Sequence, residues 1–174
     1  MKTKLLIGLA IVLTGCTSQD NQQALRSILL EKLKKSYDEQ NWFVPLKNAT
    51  QGLTAEQANW KDSTGNHSIG ELVSHLIFWN ERNLTAFRGM SMPDFSGNNE
   101  ETFQFTPTTW QEALDRLDSI HSGLDETLKQ ATAEQLEQWS SDVANISSHN
   151  AYHTGQIIYI RKQKGWWDPE KGVK

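Results

Sequence analysis

The sequence is poor in the residues that most often announce a chemistry. One cysteine in 174 residues excludes an intrachain disulfide and any multi-thiolate zinc or iron–sulfur site. Asp and Glu outnumber Lys and Arg, 21 to 17, without a long run of either sign, so the electrostatic footprint of a nucleic-acid binder is missing. The apolar stretch Leu5 to Leu13 is too short to cross a hydrocarbon core of about 30 Å as a helix. No His-Glu-x-x-His, Gly-x-Ser-x-Gly or Walker-type glycine loop occurs, which removes the metalloprotease, nucleophile-elbow and P-loop readings. A di-iron carboxylate bundle needs two Glu-x-x-His pairs, and the chain offers only Asp118-x-x-His121. Five histidines and the carboxylates are left for metal chemistry. Only four prolines stand beside seven tryptophans, a composition suited to a helical core with large aromatic anchors.

The one cysteine is informative by its place. Lys2 and Lys4 precede the apolar stretch, and Leu13-Thr14-Gly15-Cys16 closes it, as in an export signal. The closing tetrapeptide resembles the bacterial lipobox, in which the cysteine is diacylated and becomes the first residue. Residues 1–15 are therefore expected to be a lipoprotein signal peptide, 16–23 a polar tether, and 24–174 the folded domain. Without Lys2 and Lys4 the side-chain charge falls from −4 to −6, so membrane attachment must come from the lipid at Cys16 and not from a basic face. The expected location is the cell envelope, on a bacterial membrane and outside the cytoplasm.

Apolar periodicity in the rest predicts an all-α fold of four long helices. The first covers about 22–50, on a stripe of Leu25, Ile28, Leu29 and Leu33 that continues with a bend through Trp42, Phe43 and Leu46. The second starts at a Ser68/Glu71 capping box and runs to about Arg88. The third follows Pro107, with Trp110, Leu114, Leu117, Leu124 and Leu128 facing inward. The fourth spans about Asp142 to Lys164 and stops at Gly165. Thr54-Ala55-Glu56-Gln57 and Thr132-Ala133-Glu134-Gln135 echo each other as capping boxes, each able to start a short turn before a long helix. The 18 residues from Gly89 to Thr106 are too many for a tight hairpin. They are long enough to run back along a helix of about 30 Å, which predicts a four-helix bundle of up-down-down-up topology with a long helix 2 to helix 3 crossover.

His149 and His153 lie four residues apart on one helical face, among Ile146 and Ile157. Two imidazoles buried there need partners. One metal ion can satisfy both, each ring giving one nitrogen to the ion and its N–H to an acceptor. His75, on the flank of the second helix's stripe, is the natural third ligand. Glu71, one turn earlier, can orient its free N–H or serve as the cap of that helix. His121 faces inward on the third helix and reads as a core or supporting residue, and His67 as a surface residue. Three neutral nitrogen ligands suit zinc, nickel, iron or copper and leave a position open for water or substrate. Such a site is expected to lose its ion as pH falls below the reference histidine value of about 6.5.

From about Ala24 to Trp166 the chain resembles the DinB-like (YfiT-like) superfamily. The residues that carry the resemblance are Ser68-Ile69-Gly70-Glu71-Leu72-Val73-Ser74-His75-Leu76 and His149-Asn150-Ala151-Tyr152-His153-Thr154-Gly155-Gln156-Ile157, followed by Arg161 and Gly165. The resemblance implies the same bundle topology and a three-histidine site at His75, His149 and His153, with zinc or nickel as the expected ion. It implies no single reaction, since similar proteins include thiol S-transferases and a thiol-dependent isomerase. The expected function is metal-dependent hydrolysis of an unknown small molecule, with no catalytic residue assigned. A non-catalytic envelope binder and a thiol-dependent S-transferase are the alternatives, and a homodimer is a candidate assembly. Replacing Cys16 with Ser is expected to move the mature protein from the membrane fraction to the soluble one on fractionation, and equal retention would remove the anchor.

Overall fold

A computed structural model describes residues 12–105 and 109–173, with side chains from residue 19 onward. Pro107 lies outside the described residues, so its expected place at the start of a helix is not observed. The described residues form six α-helices and no strand: α1 (Val12–Tyr37), α2 (Leu46–Thr50), α3 (Ala55–Asn59), α4 (Ile69–Phe87), α5 (Trp110–Gln130) and α6 (Ala133–Gln163). Four of them are long and make the bundle. Among the described residues no helix is long and apolar enough to cross a membrane.

The first helix departs from expectation at both ends. Residues 16–23, expected as a tether, continue α1, because no glycine or proline interrupts positions 16–37. At its other end α1 stops at Tyr37 instead of running to residue 50, and Pro45, which disfavours helical geometry at residue 44, opens the separate α2. Leu29, Leu33 and Tyr37 are buried, whereas Ile28, Trp42 and Phe43 are exposed and Leu46 alone of the continuing stripe reaches the core.

The Ser68/Glu71 box forms as expected: Glu71 N–H donates to Ser68 Oγ at 3.1 Å and Ser68 N–H to Glu71 Oε2 at 2.8 Å. The helix ends at Gly89, whose φ of 72° allows a left-handed turn that a side chain would resist. The two echoing boxes diverge. Thr54 caps the five-residue α3, while Thr132 caps α6 itself, so the fourth helix begins nine residues before Asp142. After α3 the chain turns at Gly65, with φ of 86°. After Thr132, Leu136, Trp139 and Val143 keep an unbroken buried stripe.

Side-chain pairings fix the direction of each helix. Gly70, near the start of α4, lies against Phe105, which packs edge-on to Trp110 at the start of α5. Farther along, Glu81 pairs with Arg116, and Leu84 and Arg88 lie against Gly123. Helices α4 and α5 therefore run parallel. His75 meets His149 and Phe87 stacks on Trp139, which makes α6 antiparallel to α4. Tyr37 bonds Asp118 and Arg26 bonds the Ala131 carbonyl, which makes α1 antiparallel to α5. This is the up-down-down-up order, and the crossover after Gly89 carries a 3₁₀ turn at Asn99–Thr102.

Trp110 pins the end of that crossover: it is 5% exposed and donates from Nε1 to the Leu53 carbonyl at 2.9 Å. Trp110→Ala is expected to destabilise the fold by about 3–5 kcal/mol, read as a lowered urea midpoint.

Candidate metal centre

Helix α6 brings His149 and His153 to one face, and antiparallel α4 brings His75 opposite them. The three rings meet edge to face at 71–79°, with centroids 4.6 to 5.0 Å apart. His149 Nε2 stands 3.1 Å from His75 Nε2 and 2.9 Å from His153 Nε2, and one nitrogen of each ring falls within 4.8 Å of the others. Nitrogens bound to one ion at about 2.0–2.1 Å are about 3 Å apart, so the separations suit a shared ligand.

Proton placement sharpens this. The Thr102 hydroxyl donates to the Asn99 carbonyl at 2.6 Å, so its oxygen accepts the bond from His75 Nδ1–H. His153 Nδ1–H donates to Gln156 Oε1 at 2.6 Å. Both rings thus carry their proton on Nδ1 and present an Nε2 lone pair. Those lone pairs converge on His149, whose Nε2 has at most one proton when the ring is neutral. Mutual hydrogen bonding cannot satisfy three nitrogens that hold one proton between them, and a cation can. The residues present therefore fit a bound metal ion.

The rings are held neutral. His75 is pushed down to about 3, by burial first and then by repulsion from His149 and His153. His149 falls to about 4 for the same reasons, burial first. His153 is also lowered by burial, against a partly opposing hydrogen bond to Gln156. The expectation that pH 6.5 marks the loss of ligands thus needs correction, because burial keeps these imidazoles unprotonated well below it.

The other expected residues fall elsewhere. Glu71 does not touch His75, whose Nδ1 is taken by Thr102; it closes the α4 cap and pairs with Lys61 at 2.9 Å. His67 stands outside the trio, half-buried, 3.6 Å from Glu71 and stacked on Phe103, which stacks in turn on His75. His121 is outside it too. It is 6% exposed, stacked on Tyr37 at 3.8 Å, with Nε2 at 3.4 and 3.5 Å from the amides of Asn150 and Asn80. Burial lowers it to about 3, so it sits in the core as a neutral acceptor. Thr102 and Gln156 support the trio and were not singled out from sequence. Gln156 lies in the motif three residues after His153, a helical spacing that can signal a partner, but nothing local points from the crossover's Thr102 to His75.

A cavity of about 420 Å³ opens on His75 and His149 and is lined by Trp79, Asn80, Asn83, Asn99, Asn145 and Asp142 among others. It supplies room for water and a small molecule next to the trio. A family model, that of the DinB superfamily, matches residues 45–157 and so includes all three histidines. No curated protein and no solved structure matches the chain.

Because burial lowers His75, His121 and His149 in the fold, the unfolded chain takes up protons that the folded chain does not. Stability of the metal-free protein is accordingly full above about pH 6.5 and lost as pH falls from there towards 3–4, which thermal melts at pH 7.5 and 5 will show. His121→Ala is expected to leave the histidine trio in place while costing about 1–3 kcal/mol for the amide N–H groups of Asn80 and Asn150 that lose this acceptor.

Proposed function

This chain belongs to the DinB superfamily, and from that premise we propose that it is a lipid-anchored, metal-dependent hydrolase of the bacterial cell envelope. His75, His149 and His153 hold a divalent transition ion, zinc or nickel. The observation that carries the reading is the convergence of the His75, His149 and His153 Nε2 atoms. Bound there, such an ion polarises a carbonyl or phosphoryl group and acidifies water.

The chain's own residues define what surrounds that chemistry. Thr102 and Gln156 hold the His75 and His153 rings by their Nδ1 protons and so keep each lone pair directed at the trio. His149 stands between the other two rings and also lines the cavity, which puts the centre at the wall a substrate would meet. Asp142 is the carboxylate in that lining and can take up a proton released there. The Phe103 ring stacks on His75 and shields that face from water, while Trp79 stands edge-on to His75 at the cavity wall.

The anchor rests on Leu13-Thr14-Gly15-Cys16, whose lipidation would hold the domain at the membrane surface. An envelope enzyme of this kind acts on a small molecule that reaches the outer face, with no nucleic acid involved.

Metal analysis after dialysis against zinc or nickel tests the centre. The protein is expected to retain about one ion per chain, His153→Ala to lose most of it because two ligands remain, and His67→Ala to keep it. Thr102→Val is expected to weaken binding by about 10–100-fold. The metal-loaded protein, screened on amides, esters and phosphoesters, is expected to hydrolyse one class and to lose that activity in His153→Ala.

A further inference from the structure

The cavity beside the histidine trio has a lining that selects for charge and hydrogen-bonding type. Four asparagines and Asp142 face it, and among its described lining residues there is no lysine or arginine. Apart from the ion on the trio, a phosphate or carboxylate group would find no positive side chain in this lining and would meet the Asp142 charge.

Asn80, 0% exposed, lies where this lining meets the buried core. A chain of hydrogen bonds sets which way its amide is turned. Ser36 donates its hydroxyl proton to the Leu33 carbonyl at 2.9 Å, so Ser36 Oγ is left to accept from the Asn150 Nδ2 group at 3.5 Å. Asn150 Oδ1 then accepts from Asn80 Nδ2 at 2.9 Å. His121 Nε2 lies near both amide nitrogens and can accept from them when its proton is on Nδ1. Turning either amide over would set oxygen against oxygen or NH₂ against NH₂. Asn80 thus gives its NH₂ group to the core, and its Oδ1 is a buried acceptor with no partner among the described residues. An orphaned buried acceptor is costly; Asn80 Oδ1 is closed off behind the cavity lining, and a substrate N–H or O–H that displaces the lining over it meets that cost.

We propose that Asn80 Oδ1 accepts a hydrogen bond from the substrate, and that the site takes uncharged compounds with an N–H or O–H donor beside the carbonyl being polarised, such as a secondary amide. Asn80 is then the specificity-determining acceptor of the site. This rests on the metal-dependent reading above, and the test separates the two. Zinc content of the full-length protein is measured first; absence of zinc overturns the metal reading and this one with it. The zinc-loaded protein is then titrated by calorimetry with acetohydroxamic acid and with N-methylacetohydroxamic acid, which lacks the N–H, each referred to its affinity for free zinc. The N–H compound is expected to bind about tenfold tighter, and Asn80→Ala to remove most of that preference with zinc retained. Equal affinities in the unaltered protein, with zinc bound, overturn the proposal whether or not the variant folds. Tighter binding of inorganic phosphate than of acetohydroxamic acid overturns it as well.

Discussion

Polar groups buried between helices are tolerated only when donors and acceptors match, and in this bundle that constraint is concentrated in one layer where α1, α4, α5 and α6 meet. Ser36, Asn80, His121 and Asn150, one from each long helix, are all buried. Their bonds run in one direction, from the Leu33 carbonyl through Ser36 and Asn150 to Asn80. A shift of α1, α4 or α6 along its axis would break that sequence, and a shift of α5 would take His121 from the two amides, so the layer ties the axial register of all four. Register in turn sets His75 opposite His149 and His153, because His75 lies just over one turn before Asn80, and Asn150 sits between the two α6 histidines.

The same layer separates two kinds of histidine. On one side stand three rings whose lone pairs point at each other and lack protons to share. On the other stands His121, whose accepting nitrogen faces amide NH₂ groups and whose ring lies flat on Tyr37. Burial depresses all of them, yet only the first group gathers unsatisfied lone pairs. Burial alone therefore does not distinguish a ligand from a core histidine. The direction of the hydrogen bonds around it does.

The crossover matters for a related reason. A tight hairpin between α4 and α5 would have made them antiparallel. The long connection instead returns along the bundle and lays Asn99–Thr102 against the site. There it supplies the acceptor for His75, an aromatic face from Phe103, and part of the cavity wall. The length that forces parallel helices also delivers the residues that complete the centre.

Much of this was legible in the sequence wherever the relevant physics is local. Capping boxes at Ser68 and Thr132, the stop at Gly165 and the shared face of His149 and His153 follow from helix geometry, which fixes neighbours three and four residues away. The loop length at 89–106 carried the topology through chain connectivity. Where local pattern misled, packing decided: α1 stops at Tyr37 and leaves Trp42 and Phe43 exposed, and packing of Leu136, Trp139 and Val143 carries α6 back to Thr132. The partnership of His75 with Thr102, the capping role of Glu71 and the turned amide of Asn80 depend on which groups other helices bring within 3 Å. Sequence spacing specifies the face of one helix, while the rotation and register between helices are set by the whole packed layer, and only the tertiary structure could decide them.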